Sequence, residues 1–174
     1  AVNTAGLIAQ TRMRSDCADL RILFVDGVVQ TELDRVIEGC NTTGTIVRFR
    51  TQATIAAGAG DTRYRMDYGN PSGTLPPENP VNVYAFYDDF QDGNDTGWTK
   101  KGTSTFGVVN DGGNYIYRYT TGGANWALSY VTLPGVSDLD YTAKIRAAAS
   151  TNWIGLAFRI QNPTNFLTFY QSKD

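Results

Sequence analysis

The chain contains no histidine among its 174 residues, and this limits the chemistry available to it. Without histidine the Ser-His-Asp and Cys-His nucleophile systems are excluded, and the commonest metal ligand is missing. Carboxylates remain, but a glycoside hydrolase needs a carboxylic acid and a carboxylate held about 5 to 9.5 Å apart. No glutamate follows Glu78, so the second half of the chain would have to use aspartates for both. We therefore predict that the protein is not an enzyme, and keep a glycoside hydrolase as the alternative.

Oxygen-bearing side chains are concentrated in one short stretch near the middle of the chain: Asp88, Asp89, Asp92, Asn94 and Asp95. Hard oxygen ligands at this density are what Ca²⁺ selects, although the stretch lacks the closing glutamate of an EF-hand loop. The same side chains can instead accept hydrogen bonds from the N–H groups of tight turns. The sequence leaves two interpretations open, a calcium site or a solvated turn with no cofactor.

Three tyrosines, Tyr115, Tyr117 and Tyr119, alternate with other residues and must therefore share one face of a strand. Lectin-like sandwiches stack sugars on such a row of rings. A sandwich also fills its core in this way, because each ring buries about 150 to 250 Å². Trp126, in a Gly-Gly-Ala-Asn-Trp loop, is the best candidate for an exposed platform. These four residues are the candidate glycan-binding set.

Two features bear on the compartment of the protein. Cys17 and Cys40 are the only cysteines, too few for a structural zinc site, which needs about four ligands. They form either a disulfide or two buried thiols; we predict the disulfide, which indicates an oxidising, extracytoplasmic location. Asn41 and Asn94 each begin an Asn-x-Thr triplet, which is a candidate N-glycosylation site and also a pattern that arises by chance.

The elements that would position these residues are short strands on either side of a proline-rich stretch. Pro71, Pro76, Pro77 and Pro80 predict a semi-stiff linker over residues 71–83, between domains at 1–70 and 84–174. Alternating patterns and turn dipeptides predict strands at 20–25, 28–32, 36–38, 44–50, 62–68, 84–90, 106–109, 115–120, 127–133, 141–147, 154–160 and 166–171, after a short helix at 4–14. The predicted fold is all-β, with two antiparallel β-sandwich, jelly-roll-like domains joined by the linker.

Composition narrows the partners. Charged residues make up 18% of the chain with a net charge of −2, which gives no basic patch of the density that a phosphate backbone requires. No apolar run approaches the roughly 20 residues that span a bilayer. We therefore expect neither a nucleic-acid partner nor a membrane span, and expect glycans or other surface proteins as partners.

Motifs in the first half occur in an order that resembles a known family. They are Met-Arg-Ser-Asp-Cys-Ala-Asp-Leu-Arg at 13–21, Asp-Gly at 26–27, Ile-Glu-Gly-Cys-Asn-Thr at 37–42 and the closing Asp-Tyr-Gly-Asn-Pro at 67–71. Over residues 1–73 the chain resembles an uncharacterised β-sandwich family of secreted or surface-anchored bacterial and archaeal proteins. It departs from that family at 34–36, where Asp-Arg-Val stands in place of Pro-Tyr-Trp. The resemblance implies a secreted or surface location and no known activity.

A second resemblance covers residues 84–174. Asp-Asp-Phe at 88–90, Gly-Trp at 97–98, Asp-Tyr at 140–141, Gly-Leu-Ala-Phe-Arg at 155–159 and Asn-Phe at 165–166 resemble the concanavalin-A-like, laminin-G-type jelly roll, in its first half to two-thirds. The resemblance implies carbohydrate binding or adhesion.

Both resemblances predict domains that are incomplete at the ends of the chain. Either strands from neighbouring subunits complete them, in a homo-oligomer or filament, or the chain is part of a longer protein.

These observations together predict a non-catalytic extracellular or cell-surface protein. It would bind glycan, or act as an adhesion or scaffold subunit of a surface assembly. Besides the glycoside hydrolase, the alternative is a purely structural spacer within a longer protein.

Overall fold

The computed structural model describes residues 1–74, 78–101, 105–121, 127–146, 154–162 and 164–171. Strands arranged in small antiparallel sheets dominate this part of the chain, and its two helices are short, in agreement with an all-β class. The chain divides into two compact units, residues 1–88 and 89–174. In the described ranges no helix is long and apolar enough to cross a membrane.

The first unit contains two helices and five strands. They are α1 (Thr4–Ala9), β1 (Arg21–Asp26), β2 (Val29–Glu32), β3 (Arg35–Glu38), β4 (Ile46–Phe49), β5 (Tyr64–Asp67) and α2 (Pro80–Val83). One antiparallel sheet has the order β2-β1-β5, and β3 pairs with β4 in a second. The turn between β1 and β2 is the predicted Asp-Gly pair, where Gly27 has a φ of 63° that a glycine adopts without strain.

Both sheets of the first unit contribute to one hydrophobic core. Its buried residues are Met13, Cys17, Leu20, Ile22 and Leu33. Side chains from β1, β3, β4 and β5 pack against them, among them Phe24, Ile37, Val47, Phe49, Tyr64 and Met66. Folding therefore buries apolar side chains from both sheets in one core, and this burial is the main contribution to the stability of a unit of this size.

The first helix is shorter than the sequence predicts. Asn3, rather than Thr4, caps it: the Asn3 side-chain oxygen accepts a hydrogen bond from the Gly6 N–H at 2.8 Å. The helix ends at Ala9 instead of reaching residue 14, because Thr11 has a φ of 58°, outside the helical region.

The described residues of the predicted linker, 71–74 and 78–83, belong to the first compact unit and contact it. The Asn82 side-chain amide donates to the Asp34 carboxylate at 2.7 Å, and the Arg14 guanidinium donates to the Pro71 carbonyl at 2.9 Å. Pro80 begins α2, since proline lacks only an N–H that the first helical turn leaves unbonded. The division between the two units falls after Asp88, whereas the predicted second domain begins at residue 84.

The second unit contains three described strand pairs. Its strands are β6 (Thr99–Lys101), β7 (Thr105–Asp111), β8 (Asn114–Thr121), β9 (Leu128–Tyr130), β10 (Ile154–Asn162) and β11 (Asn165–Gln171). They pair as β6–β9, β7–β8 and β10–β11, all antiparallel. Two predictions are wrong: residues 84–90 form no strand, and neither does the described part of 141–147. The short strand β6 was not predicted.

Candidate functional site

The three tyrosines of β8 lie on one face, as predicted, and most of that face is filled by other aromatic rings. Tyr117 is at the centre: Phe90 stacks on it with ring centroids 4.9 Å apart, and Trp98 and Phe106 lie at 5.2 and 5.6 Å. The Tyr117 hydroxyl hydrogen-bonds the Ser129 hydroxyl at 2.7 Å, which links β8 to β9. Tyr117 therefore has the surroundings of a core residue, with a partner for its polar end.

The outer two tyrosines of the row are more open. Tyr115 is 37% exposed and Tyr119 is 41% exposed, on either side of the half-buried Tyr117. Phe106 contacts the Tyr119 ring at 5.4 Å, and the Gln91 side chain bonds the Tyr115 backbone. The rings of this pair retain more exposed area for a ligand than the half-buried Tyr117.

Two of the three tryptophans lie outside the described residues. Trp126, the predicted glycan platform, and Trp153 are both among them. Trp98 is half-buried and packs on Phe90 and Tyr117, so it belongs to the aromatic cluster. The sequence did not predict that Phe90 and Phe106 pack on Tyr117, although Phe90 belongs to the Asp-Asp-Phe triplet of the second resemblance.

The oxygen-rich stretch makes successive turns. Asp89 accepts from the Gln91 N–H, Asp92 accepts from the Asn94 N–H, and Asn94 accepts from the Thr96 N–H, at 2.9 to 3.1 Å. Asp95 is ion-paired with Lys100 at 2.5 Å, and this hydrogen bond raises the pKa of the lysine. Asp88 also lies in this stretch and is half-buried. No group of three or more Asp, Glu, Cys or His side chains suited to a metal occurs in the described part of the chain. The hydrogen bonds are those that a series of tight turns makes, and calcium binding by this stretch stays a prediction.

The predicted disulfide is confirmed: Cys17 and Cys40 are bonded, with their Cα atoms 6.1 Å apart. Cys17 is fully buried, so the bridge ties the loop before β1 to the turn after β3 from inside the core. Asn41, which follows the bridge, is exposed, and so is Asn94. Both remain candidate glycosylation sites.

A buried carboxylate joins the two motifs that carry the first resemblance. Asp19, 3% exposed, accepts from the Arg14 N–H at 3.1 Å and from the Gly69 N–H at 2.7 Å. Gly69 has a φ of 100°, and a Cβ there would lie 3.2 Å from the Arg12 carbonyl oxygen, so the position requires glycine. A hydrogen bond from Arg14 holds the pKa of the exposed Asp16 well below its usual range. These motif residues fix the fold of the first unit.

A second polar group surrounds a buried arginine at the start of β3. Arg35 is 3% exposed, lies 3.6 Å from the Glu32 carboxylate, and its Nε has no hydrogen-bond partner among the described residues. Burial lowers the pKa of Arg35, and repulsion from Arg21 adds to the effect. Arg21 itself is paired with Glu32 at 2.9 Å. Glu32 thus pairs with two arginines, which is a structural arrangement.

A shallow groove next to β4 was not predicted. It has a volume of about 310 Å³ and is lined by Val47, Arg48, Phe49, Val83 and Tyr84. The Glu38 carboxylate accepts from the Arg48 guanidinium at 3.0 Å and from the Tyr84 hydroxyl at 3.1 Å. The Arg48 bond lowers the pKa of Glu38, whereas desolvation and then Glu38 raise the pKa of Tyr84. No local sequence pattern predicts the groove, because Tyr84 is far in sequence from the β4 residues that line it.

Large apolar side chains are exposed on one face of the β10–β11 hairpin. Leu156 is opposite Phe169 and Phe158 is opposite Leu167, and directly opposed residues share a face. Phe169 is 73% exposed, Leu167 54% and Phe158 37%. These four residues define the apolar hairpin face, and contiguous exposed apolar side chains of this kind are uncommon on the surface of a monomer.

Comparison of the chain with protein-family models, with curated proteins and with solved structures gives no match. The class that its own residues define is a strand-rich, disulfide-bonded protein of two compact units.

Proposed function

We propose that the chain is a non-catalytic part of an extracellular or cell-surface protein and acts as an adhesion or scaffold subunit in a surface assembly. The observation that carries the proposal is the apolar hairpin face, with Phe169 and Leu167 more than half exposed. A two-stranded hairpin is marginally stable in water unless something packs on its apolar side. Contiguous apolar surface of this kind is typical of protein–protein contacts.

The partner proposed for this face is a second copy of the chain. The four residues of the face are uncharged, so two copies meet across a two-fold axis without like charges opposing each other. The strand β11, Asn-Phe-Leu-Thr-Phe-Tyr-Gln, which supplies Leu167 and Phe169 to the face, also lacks the charges and proline with which proteins block edge pairing. Self-association therefore meets no electrostatic barrier there.

Sedimentation velocity tests the proposal. We expect the wild-type chain to form dimers or larger species, and Phe169→Asp to be monomeric because it places a charge in the contact. Val28→Asp is the matched control: Val28 is 97% exposed in the first unit, so its variant should associate like the wild type. A wild-type chain that is monomeric at every concentration, or a Phe169→Asp variant that still associates, would overturn the proposal.

Other features support the non-catalytic and extracellular parts of the proposal. The chain has no histidine and no glutamate after Glu78, and the aspartates described around residue 90 are engaged in turns. The disulfide is chemically stable in oxidising compartments. The two sheets of the first unit share one core, which supports a β-sandwich there and the resemblance to the surface-protein family.

A second candidate function is glycan binding, and the exposed pair Tyr115 and Tyr119 favours it. A glycan array with the wild-type chain and Tyr119→Ala tests it, with Tyr87→Ala, 38% exposed in the first unit, as the control. We expect binding that is lost in Tyr119→Ala and retained in Tyr87→Ala. Trp126→Ala tests the predicted loop platform in the same experiment. No binding to any sugar would favour the scaffold role.

A further inference from the structure

We infer that residues 78–84 are a strap that detaches from the first unit in acid while the rest of that unit stays folded. Side chains hold the strap at both ends of β3. The Asp34 carboxylate, just before β3, accepts a hydrogen bond from the Asn82 amide at 2.7 Å. The Glu38 carboxylate, at the end of β3, accepts one from the Tyr84 hydroxyl at 3.1 Å.

The strap is attached through its side chains and one carbonyl, and not through a strand ladder. The Arg50 guanidinium, just after β4, donates to the Tyr84 carbonyl at 2.8 Å. In the described part of the chain, the backbone N–H groups of Asn82 and Tyr84 donate to carbonyls of the strap itself. None of its residues is buried. A segment with little buried apolar surface and exposed hydrogen bonds has a low free energy of local opening, so the strap is able to open alone.

The core of the first unit does not include the strap. The pairing of β1 with β5 and the disulfide also lie outside residues 78–84. The buried core residues all precede the strap: Met13, Cys17, Leu20, Ile22 and Leu33. Detachment therefore leaves the core, the sheet and the disulfide in place.

Glu38 makes the attachment sensitive to acid. The charged and titratable groups that face it in the described structure are Arg48 from β4 and Tyr84 from the strap. The Arg48 hydrogen bond lowers the pKa of Glu38 from 4.5, burial opposes this, and the Tyr84 hydrogen bond lowers the pKa further. Desolvation and then Glu38 raise the pKa of Tyr84, so its hydroxyl keeps its proton in acid.

Ionisation of Glu38 and attachment of the strap favour each other, because the Tyr84 bond exists only while the strap is attached. Attachment is therefore strongest above pH 4.5 and weakens as the pH falls through the lowered pKa of Glu38. Release also changes the surface of the first unit. Val83 and Tyr84 line the groove beside β4, so the groove opens when the strap leaves.

A spin label on the strap tests the inference in the full chain. Val81, 65% exposed on α2, is replaced by cysteine and carries the label, whose mobility separates attached from detached strap. We expect the ratio of detached to attached strap to rise about fivefold to tenfold between about pH 7 and about pH 3, the effect of losing one hydrogen bond. Tyr84→Phe should show the same rise already at about pH 7, and no further rise in acid.

Two more variants complete the design. Glu38→Gln removes the titrating group and should abolish the acid response. Asp67→Asn is the matched control, because Asp67 is an exposed carboxylate paired with Arg65 on β5, so this variant should respond like the wild type. Amide protection of β1 and β5, measured at the same pH values, reports whether the rest of the unit stays folded.

Four results would overturn the inference. The label is equally mobile at both pH values; or Tyr84→Phe or Glu38→Gln keeps the acid response; or Asp67→Asn loses it. The fourth is loss of protection in β1 and β5 together with the rise in mobility, which would identify unfolding of the whole unit. The test concerns the first unit only, so its failure leaves the self-association proposed for the second unit untouched.

Discussion

Replacing Asp19 with alanine should lower the stability of the first unit more than any surface substitution, because two backbone donors depend on its carboxylate. The Arg14 and Gly69 N–H groups both bond Asp19, at 3.1 and 2.7 Å, and the side chain is 97% shielded from water. The alanine side chain offers neither donor an acceptor. The loop before β1 and the turn after β5 would then be held by fewer contacts.

The magnitude follows from the cost of unsatisfied donors. A buried N–H without an acceptor costs about 1 to 3 kcal/mol, and since these two groups are only partly buried, a total of about 2 to 4 kcal/mol is expected. For a unit of 88 residues, each kcal/mol lowers the melting temperature by about 4 to 8 °C. The melting temperature of this unit should therefore fall by about 8 to 30 °C in Asp19→Ala.

Differential scanning calorimetry measures this shift, and hydrogen exchange at β5 assigns the transition to the first unit. Asp67→Ala is the matched control: Asp67 pairs with Arg65 at 2.8 Å, but both side chains are more than 40% exposed, so about 0 to 1 kcal/mol is expected. If Asp19→Ala melts within about 3 °C of the wild type, or no lower than Asp67→Ala, the reasoning from unsatisfied donors is wrong.

Three further predictions concern other parts of the chain. Reducing the Cys17–Cys40 bridge, which spans 23 positions, should lower the free energy of unfolding by about 3 kcal/mol in chemical denaturation; an unchanged midpoint would contradict this. The Arg48 hydrogen bond lowers the pKa of Glu38 from 4.5, so the stabilisation from this bond is present above pH 4.5 and is lost as the pH falls through the lowered pKa. Glu38→Gln should therefore flatten the acid side of a plot of stability against pH, and a plot identical to that of the wild type would contradict this prediction. Gly155→Ala should open the β10–β11 hairpin, since its Cβ would lie on the β11 backbone, and unchanged amide protection there would show the backbone can move aside.

Periodic patterns predicted the elements whose side chains alternate. The row from Tyr115 to Tyr119 lies in β8, as predicted, because alternation of side chains between two faces is the geometric property of a strand. The Asp-Gly pair forms the predicted turn between β1 and β2. The Cys17–Cys40 disulfide followed from counting possible partners. In each case the deciding information is local or compositional, so the sequence contains it.

The aromatic stretch at 84–90 is a case in which the local sequence pattern gave a wrong prediction of secondary structure. It has strand-forming residues, yet Phe90 has a φ of 62°, which no strand permits, and Tyr84 is held by Glu38 and Arg50. The prolines at 71–80 likewise suggested a spacer, but Asp34, in the distant connection between β2 and β3, bonds the Asn82 side chain. Long-range side-chain contacts overrode the local preferences, and the sequence pattern does not display such contacts.

The motifs of the first unit were easy to notice because they are structural. Asp19 and Gly69 are distinctive because a buried carboxylate and a positive φ each admit few residue types. The apolar hairpin face proposed for self-association has no such signature, because it uses residues common in any strand. Sequence motifs in this chain therefore point to what holds the first unit together. Contacts of the chain with partners have to be inferred from exposure, as at Phe169 in the second unit.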